Sequence, residues 1–190
     1  SGHRAVPGRR ARRAGAPRPK PTLDEKAARV AAFDLLARRS WSGRDLARRL
    51  RRRGAPAEIA QAVVAELTGR GYIDDQAFAR WWAEARARGR RIGSRRLRQE
   101  LTAKGIPREM IDAAIAAAFD EVGETERALE AARRRLPALL RGRQASRAYG
   151  RLADYLLRRG YPASAVRHAV AALLPDRGAD LPAPEEDGGV

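Results

Sequence analysis

The chain contains no cysteine, which excludes disulfides, thiol nucleophiles and Cys-ligated zinc and suits a reducing compartment. Its two histidines, His3 and His168, lie far apart in sequence and cannot assemble a usual zinc site. No apolar run approaches the roughly 20 residues that cross a bilayer, and the longer tracts, such as AAIAAAF at 113–119, are mostly alanine. No window alternates with period two, so no sheet is expected. Aromatic residues make up only 5% of the chain. The glycine-containing segments TGRGY and RGRRIGS lack the Gly-Lys-Ser/Thr ending of a nucleotide-binding P-loop. No serine has a plausible His–Asp set. The sequence therefore predicts a cytoplasmic protein that is not an enzyme, needs no metal or cofactor, and does not enter a membrane.

Acid is scarce relative to base: 23 Asp and Glu against 40 Lys and Arg give a formal charge of +17. Such a balance speaks to partners, and a polyanion or an acidic protein surface is the natural expectation. Residues 1–21 combine Arg, Pro, Gly and Ala with no acid and no periodicity, and read as a disordered basic tail. Residues 175–190 carry the opposite charge among Pro and Gly, and read as a disordered acidic tail.

Between the tails the pattern is helical. Thr22 with Glu25 and Ser42 with Asp45 have the spacing of capping boxes, and Trp41 with Leu46 that of a hydrophobic staple. The first helix is expected to bury Val30, Phe33 and Leu36, the second Leu46, Ala47 and Leu50, the third Ile59, Val63 and Leu67. The turn after the second helix, LRRRGAP at 50–56, returns as LTAKGIP at 101–107 and LLRRGYP at 156–162. Its glycine suits the left-handed end of a helix, and its proline suits the first position of the next. Offsets of 51 and 55 residues carry Leu46, Leu50, Gly54 and Pro56 onto Leu97, Leu101, Gly105 and Pro107, then onto Leu152, Leu156, Gly160 and Pro162. Third helices follow on Met110, Ile111, Ala114, Ile115, Ala118 and on Val166, Ala169, Val170, Leu173. The fold class expected is an all-α, elongated array of three tandem three-helix repeats, at 22–70, 71–121 and 122–174.

The middle unit opens with GYIDDQAFARWWAEARARGRRIGSRRLRQELTAKGI, residues 71–106. This stretch resembles the RecX family, bacterial regulators of the RecA recombinase. Tyr72, Ile73, Asp75, Phe78, Ala79, Arg86, Gly89, Leu97, Glu100, Leu101, Gly105 and Ile106 all fit the family pattern. LLARRSWSGRDLARRLRRRG and LADYLLRRGYPASAVRHAVAAL resemble its first and last repeats. The resemblance implies three tandem three-helix bundles in a monomer. It implies binding to RecA assembled on single-stranded DNA, with double-stranded DNA a second candidate. Filament growth, strand exchange, ATP hydrolysis and coprotease activity would fall.

Asp74 and Asp75 precede a helix and read as caps. Phe78, Trp82 and Ala85 share a helical face, so Trp82 is assigned to the core, while Trp81 is a candidate to fill the seam between repeats or to stack on bases. Tyr72 and Tyr161 are expected beside their turns. Arg53, Lys104 and Arg159 stand at helix ends, where a positive charge favours the dipole. The remaining bases gather on corresponding helices and linkers of each unit: Arg44, Arg48, Arg51 and Arg52; Arg86, Arg88, Arg90, Arg91, Arg95, Arg96 and Arg98; Arg141, Arg143, Arg147 and Arg151. In register they would form a basic stripe that meets RecA, DNA or both. The rival reading is an autonomous DNA-binding protein whose second or third helices, flanking the Gly-x-Pro turn, act as in a helix-turn-helix.

Overall fold

The computed structural model describes residues 22–141 and 147–174, and the expectations for both tails and for Arg143 lie outside them. Among the described residues there are nine helices and no strand: α1 (Glu25–Leu36), α2 (Gly43–Arg52), α3 (Ala57–Gly69), α4 (Asp75–Arg90), α5 (Ser94–Ala103), α6 (Arg108–Ala118), α7 (Glu124–Leu140), α8 (Ala148–Arg158) and α9 (Ala163–Leu173). They pack in threes around three separate apolar clusters, which makes the chain a tandem array. α4 lies along α6 and α7 along α9, whereas in the first unit α2 against α3 is the most extensive contact.

The repeated turn is the same device in all three units. Leu46, Leu50, Leu97, Leu101, Leu152 and Leu156 are each 0% exposed, so the leucine pair anchors every second helix. Gly54, Gly105 and Gly160 follow with φ of 105°, 77° and 83°, in the left-handed region that a Cβ penalises. The next amide then bonds back to the last leucine's carbonyl, Ala55 to Leu50 at 3.1 Å, Ile106 to Leu101 at 3.2 Å and Tyr161 to Leu156 at 3.3 Å. This is the Schellman closure, which satisfies carbonyls the helix end leaves open. Ala55, Ile106 and Tyr161 are buried beneath it. The prolines sit one place earlier than expected. Pro56, Pro107 and Pro162 are the residues before the first helical position, with ψ near 150°. A proline there still sacrifices no helical hydrogen bond.

Several local expectations need correction. The cap of α1 is Asp24, whose carboxylate accepts from the Ala27 amide at 2.7 Å, not Thr22. Glu25 instead pairs with Arg29 at 2.7 Å. The buried face of α1 is Ala28, Ala32 and Leu35, while Val30 and Phe33 are exposed at 57% and 37%. Small residues let α1 approach its neighbours closely, so bulk was a misleading guide to the inward face. On α3 the inward residues are Ala60, Val63 and Leu67, with Ile59 at the margin; Ala47 is likewise marginal on α2. On α4 the buried face is Phe78, Ala79, Ala83 and Ala87; Ala85 is exposed. Trp82 is half-buried and stacks on Phe78 at 5.6 Å.

Candidate interface for an acidic partner

The units join through their repeated turns. Ser42 caps α2 by accepting from the Asp45 amide at 3.2 Å, and the same hydroxyl donates to the Lys104 carbonyl at 2.9 Å, in the turn of the second unit. The Gly43 amide donates to the Asp75 carboxylate at 2.9 Å. Asp45 does not reach back to complete a capping box. It accepts from the Lys104 ammonium across the joint at 2.8 Å and pairs with Arg48 at 2.7 Å. Burial pushes the Asp45 carboxyl up, but the hydrogen bond and charge of Lys104, reinforced by Arg48, hold it net below its usual value.

The joint between the second and third units repeats this plan. The Gly93 amide donates to the Arg159 carbonyl at 2.8 Å, and the Arg95 amide to the Gly160 carbonyl at 3.0 Å. The Ser94 amide donates to the Glu124 carboxylate at 2.6 Å, as Gly43 does to Asp75. Even the first turn is engaged. The Leu23 amide donates to the Gly54 carbonyl at 3.0 Å, so the segment ahead of α1 takes the place of a preceding unit.

Asp74 caps α4 through the Ala77 amide at 2.9 Å, whereas Asp75 serves the neighbouring unit. Among the described residues no group of His, Asp and Glu could hold a metal, and no helix is long and apolar enough to cross a membrane. The other motif residues also have structural work. Ile73 and Phe78 are buried. Glu100 accepts from the Trp82 indole at 3.0 Å and pairs with Arg96 at 3.4 Å and Arg86 at 3.6 Å. Tyr161 is fully buried, and burial, with Glu124 nearby, raises its hydroxyl pKa. Tyr72 is 56% exposed and meets Phe33 edge-on at 5.2 Å. Trp81 is 58% exposed and lines a cleft between the first and second units without filling it.

The arginines divide into two sets. Arg48, Arg86, Arg88, Arg91, Arg96 and Arg98 pair with carboxylates of their own chain. Arg86 also lies over the Trp82 ring at 4.3 Å. Arg91 ends α4 in the left-handed region at φ 51°. Arg44, Arg51, Arg52, Arg90, Arg95, Arg141, Arg147 and Arg151 are exposed, and among the described residues no carboxylate lies within ion-pair distance of them. Two hollows are edged by arginines of both sets: Arg44, Arg48 and Arg51 line one of about 530 Å³ between α2 and α3, and Arg95, Arg96 and Arg158 line one of about 390 Å³ at the second joint.

Two of the three helix-end bases, Lys104 and Arg159, have more specific roles than the dipole. Lys104 bonds Asp45 and lies 4.2 Å from the Trp82 ring centre. Arg159 covers Tyr155 and donates to the Arg90 carbonyl across the second joint. Arg53 makes only a long 3.5 Å contact to the Ala31 carbonyl. Sequence reasoning missed the joints because their partners lie 30 to 69 residues apart. The available signal was the coincidence of acids opening α4 and α7 with polar or small residues opening α2 and α5.

Two family models match this chain: the first three-helix domain of RecX over residues 28–67 and the second over 74–115. Regulatory protein RecX of Streptomyces coelicolor is 35% identical over 153 residues, 80% of each chain. Regulatory protein RecX of Mycobacterium tuberculosis is 32% identical, covering 83% of this chain and 92% of that protein. Among solved structures, a regulatory protein RecX superposes with TM-score 0.68 at 24% identity, over 80% of this chain and 73% of the other. RecX from Lactobacillus salivarius gives 0.67 at 15% identity, over 78% and 96%. These two likenesses speak to the fold.

Proposed function

The chain belongs to the RecX family of regulatory proteins, and from that premise we propose that it is a negative modulator of RecA. It binds RecA assembled on single-stranded DNA and blocks filament growth, strand exchange, ATP hydrolysis and coprotease activity. It does so by occupancy, as a cytoplasmic monomer without metal or cofactor. The observation that carries the reading is the set of exposed arginines left without an ion-pair partner among the described residues in every unit. Spacing them along an array suits a repeating partner better than a single operator site. Arginine's planar fork makes paired contacts to carboxylate and phosphate alike. Arg44, Arg51, Arg52, Arg90, Arg95, Arg141, Arg147 and Arg151 are the contacts proposed, and Arg143 belongs with them by sequence position. Arg48, Arg86, Arg88, Arg91, Arg96 and Arg98 are secondary, because each must first leave or share an internal carboxylate.

The test is RecA ATPase on single-stranded DNA with sub-stoichiometric protein. Wild type should depress the rate, and Arg90→Glu with Arg95→Glu should relieve inhibition while helicity stays unchanged. An unaltered rate at every order of addition, with tight salt-sensitive DNA binding in the absence of RecA, would instead establish the autonomous DNA-binding reading.

A further inference from the structure

The exposed aromatics gather in one place. Phe33, Trp41, Tyr72, Phe78 and Trp81 line a single cleft of about 710 Å³ between the end of α1 and the start of α4, in a chain whose aromatic content is only 5%. Phe33, Tyr72 and Trp81 stand among the chain's most exposed large apolar residues, and Val30 lies one turn before Phe33 on the same helix. Contiguous apolar surface of this kind is costly to leave in water and marks a contact. Trp and Tyr beside Arg are also the residue types that dominate binding energy at protein interfaces.

The ring geometry selects the occupant. Phe33 and Tyr72 meet at 88°, Trp81 and Trp82 at 67°, and Phe78 and Trp81 at 52°. Successive bases of a single strand need ring faces presented in parallel, whereas these crossed rings enclose a socket. The guanidinium of Arg39 already covers one face of Trp41 at 3.6 Å. The Asp74 carboxylate is part of the lining and would repel a phosphate. Arg38, Arg39 and Arg80, each next in sequence to a lining residue, are exposed, with no carboxylate of the described residues within ion-pair distance.

We propose that this cleft is a docking socket for a protein segment that inserts one bulky apolar side chain, with acidic residues beside it meeting Arg38, Arg39 and Arg80. The proposal rests on the filament reading for which protein supplies the segment: RecA, not the DNA. It adds an apolar anchor to the basic stripe, and the two respond differently to salt, since charge contacts are screened and apolar ones are not.

The experiment measures binding of fluorescently labelled full chain to two probes, RecA assembled on poly-dT and poly-dT alone, across a salt series. Trp81→Ala with Tyr72→Ala should weaken filament binding by about tenfold or more. It should leave the salt slope and poly-dT binding unchanged. Arg38→Glu with Arg39→Glu should also weaken filament binding and should flatten its salt slope. Circular dichroism checks folding, and Trp81→Ser alone substitutes for the double variant if helicity falls. Equal losses on both probes would overturn the proposal and make the cleft a base-binding site. An unchanged filament affinity in the aromatic variants, with wild type binding normally, would overturn the cleft proposal alone. Absence of wild-type filament binding would overturn the filament reading together with it.

Discussion

At the first joint a serine hydroxyl reaches the carbonyl of the following turn, Ser42 to Lys104 at 2.9 Å; at the second a glycine amide reaches the same place, Gly93 to Arg159 at 2.8 Å. The first joint is therefore made largely by side chains and includes an ion pair, Asp45 with Lys104 at 2.8 Å. The second adds backbone-to-backbone bonds and a closer approach: a Cβ on Gly93 would lie 2.5 Å from the Gly160 carbonyl carbon and the Tyr161 nitrogen. One architecture thus carries a titratable ion pair onto the repeated turn at one end and a close backbone approach to it at the other, with a carboxylate on a helix start at both. Side-chain contacts tolerate small displacements, and close backbone contacts do not. The pair should consequently differ in sensitivity, the second more to a steric insult and the first more to acid.

Glycine substitutions should separate them most strongly. Gly160→Ala combines a left-handed φ of 83° with a Cβ 2.9 Å from the Arg96 Cα. It should cost about 3 kcal/mol. Gly93→Ala has an ordinary φ of −81°, so its cost is purely the clash, about 2–3 kcal/mol. Gly105→Ala, at φ 77°, would press its Cβ on the Arg44 Cδ, which can swing away, and place it 2.8 Å from the Arg44 Cβ, which yields only with a small shift of α2. It should cost about 2 kcal/mol. Urea unfolding of the three variants gives the ranking. Gly105→Ala proving the worst would mean that the first joint is the tighter one.

Much of this architecture was legible in the linear sequence. Leu46, Leu50, Gly54 and their two sets of counterparts announce a helix end through residue types that little else explains. The helix faces were less legible where alanine does the packing. Ala28 and Ala32 face inward and Val30 outward, because the space available is set by how closely helices approach, which hydrophobic periodicity does not report. The α1 cap was misassigned by two residues since Thr22 and Asp24 both offer a suitable oxygen. Asp75 was recognised as a cap, but not as one for a helix 32 residues earlier. The arginine clusters were visible as clusters. Which of them are internally committed depends on carboxylates such as Glu121 and Glu130, brought close only by the fold.

Acid should act next most strongly, and more on the first joint, where the Asp45–Lys104 ion pair is added to the capping carboxylate that both joints possess, Asp75 and Glu124. The Asp45 carboxyl is held below its usual value by Lys104 and Arg48 against the effect of burial. A carboxyl depressed in the folded state stabilises it at pH values above the unfolded pKa of about 3.9, and that contribution is lost as pH falls through the folded value. Asp45→Asn should therefore cost about 1–2 kcal/mol near neutral pH. Its deficit relative to wild type should close as pH drops below about 4. A deficit that persists undiminished at pH 2 would mean that asparagine disturbs packing rather than the ion pair.

The smallest effect tests what the two joints share. Asp75 and Glu124 each place a carboxylate on the first amides of a helix in the preceding unit, where a negative charge also faces the positive end of the helix dipole. Asp75→Asn keeps an acceptor and removes only the charge, so it should cost about 0.5 kcal/mol. Asp75→Ala removes both and should cost about 1 kcal/mol. Amide exchange locates the loss: protection at Gly43 should fall in the Asp75 variants while Ser94 is unaffected, and the reverse should hold for Glu124→Ala. Loss of protection at both amides in either variant would show that the joints open together. The array would then behave as one cooperative body, not as three units linked by two independently failing contacts.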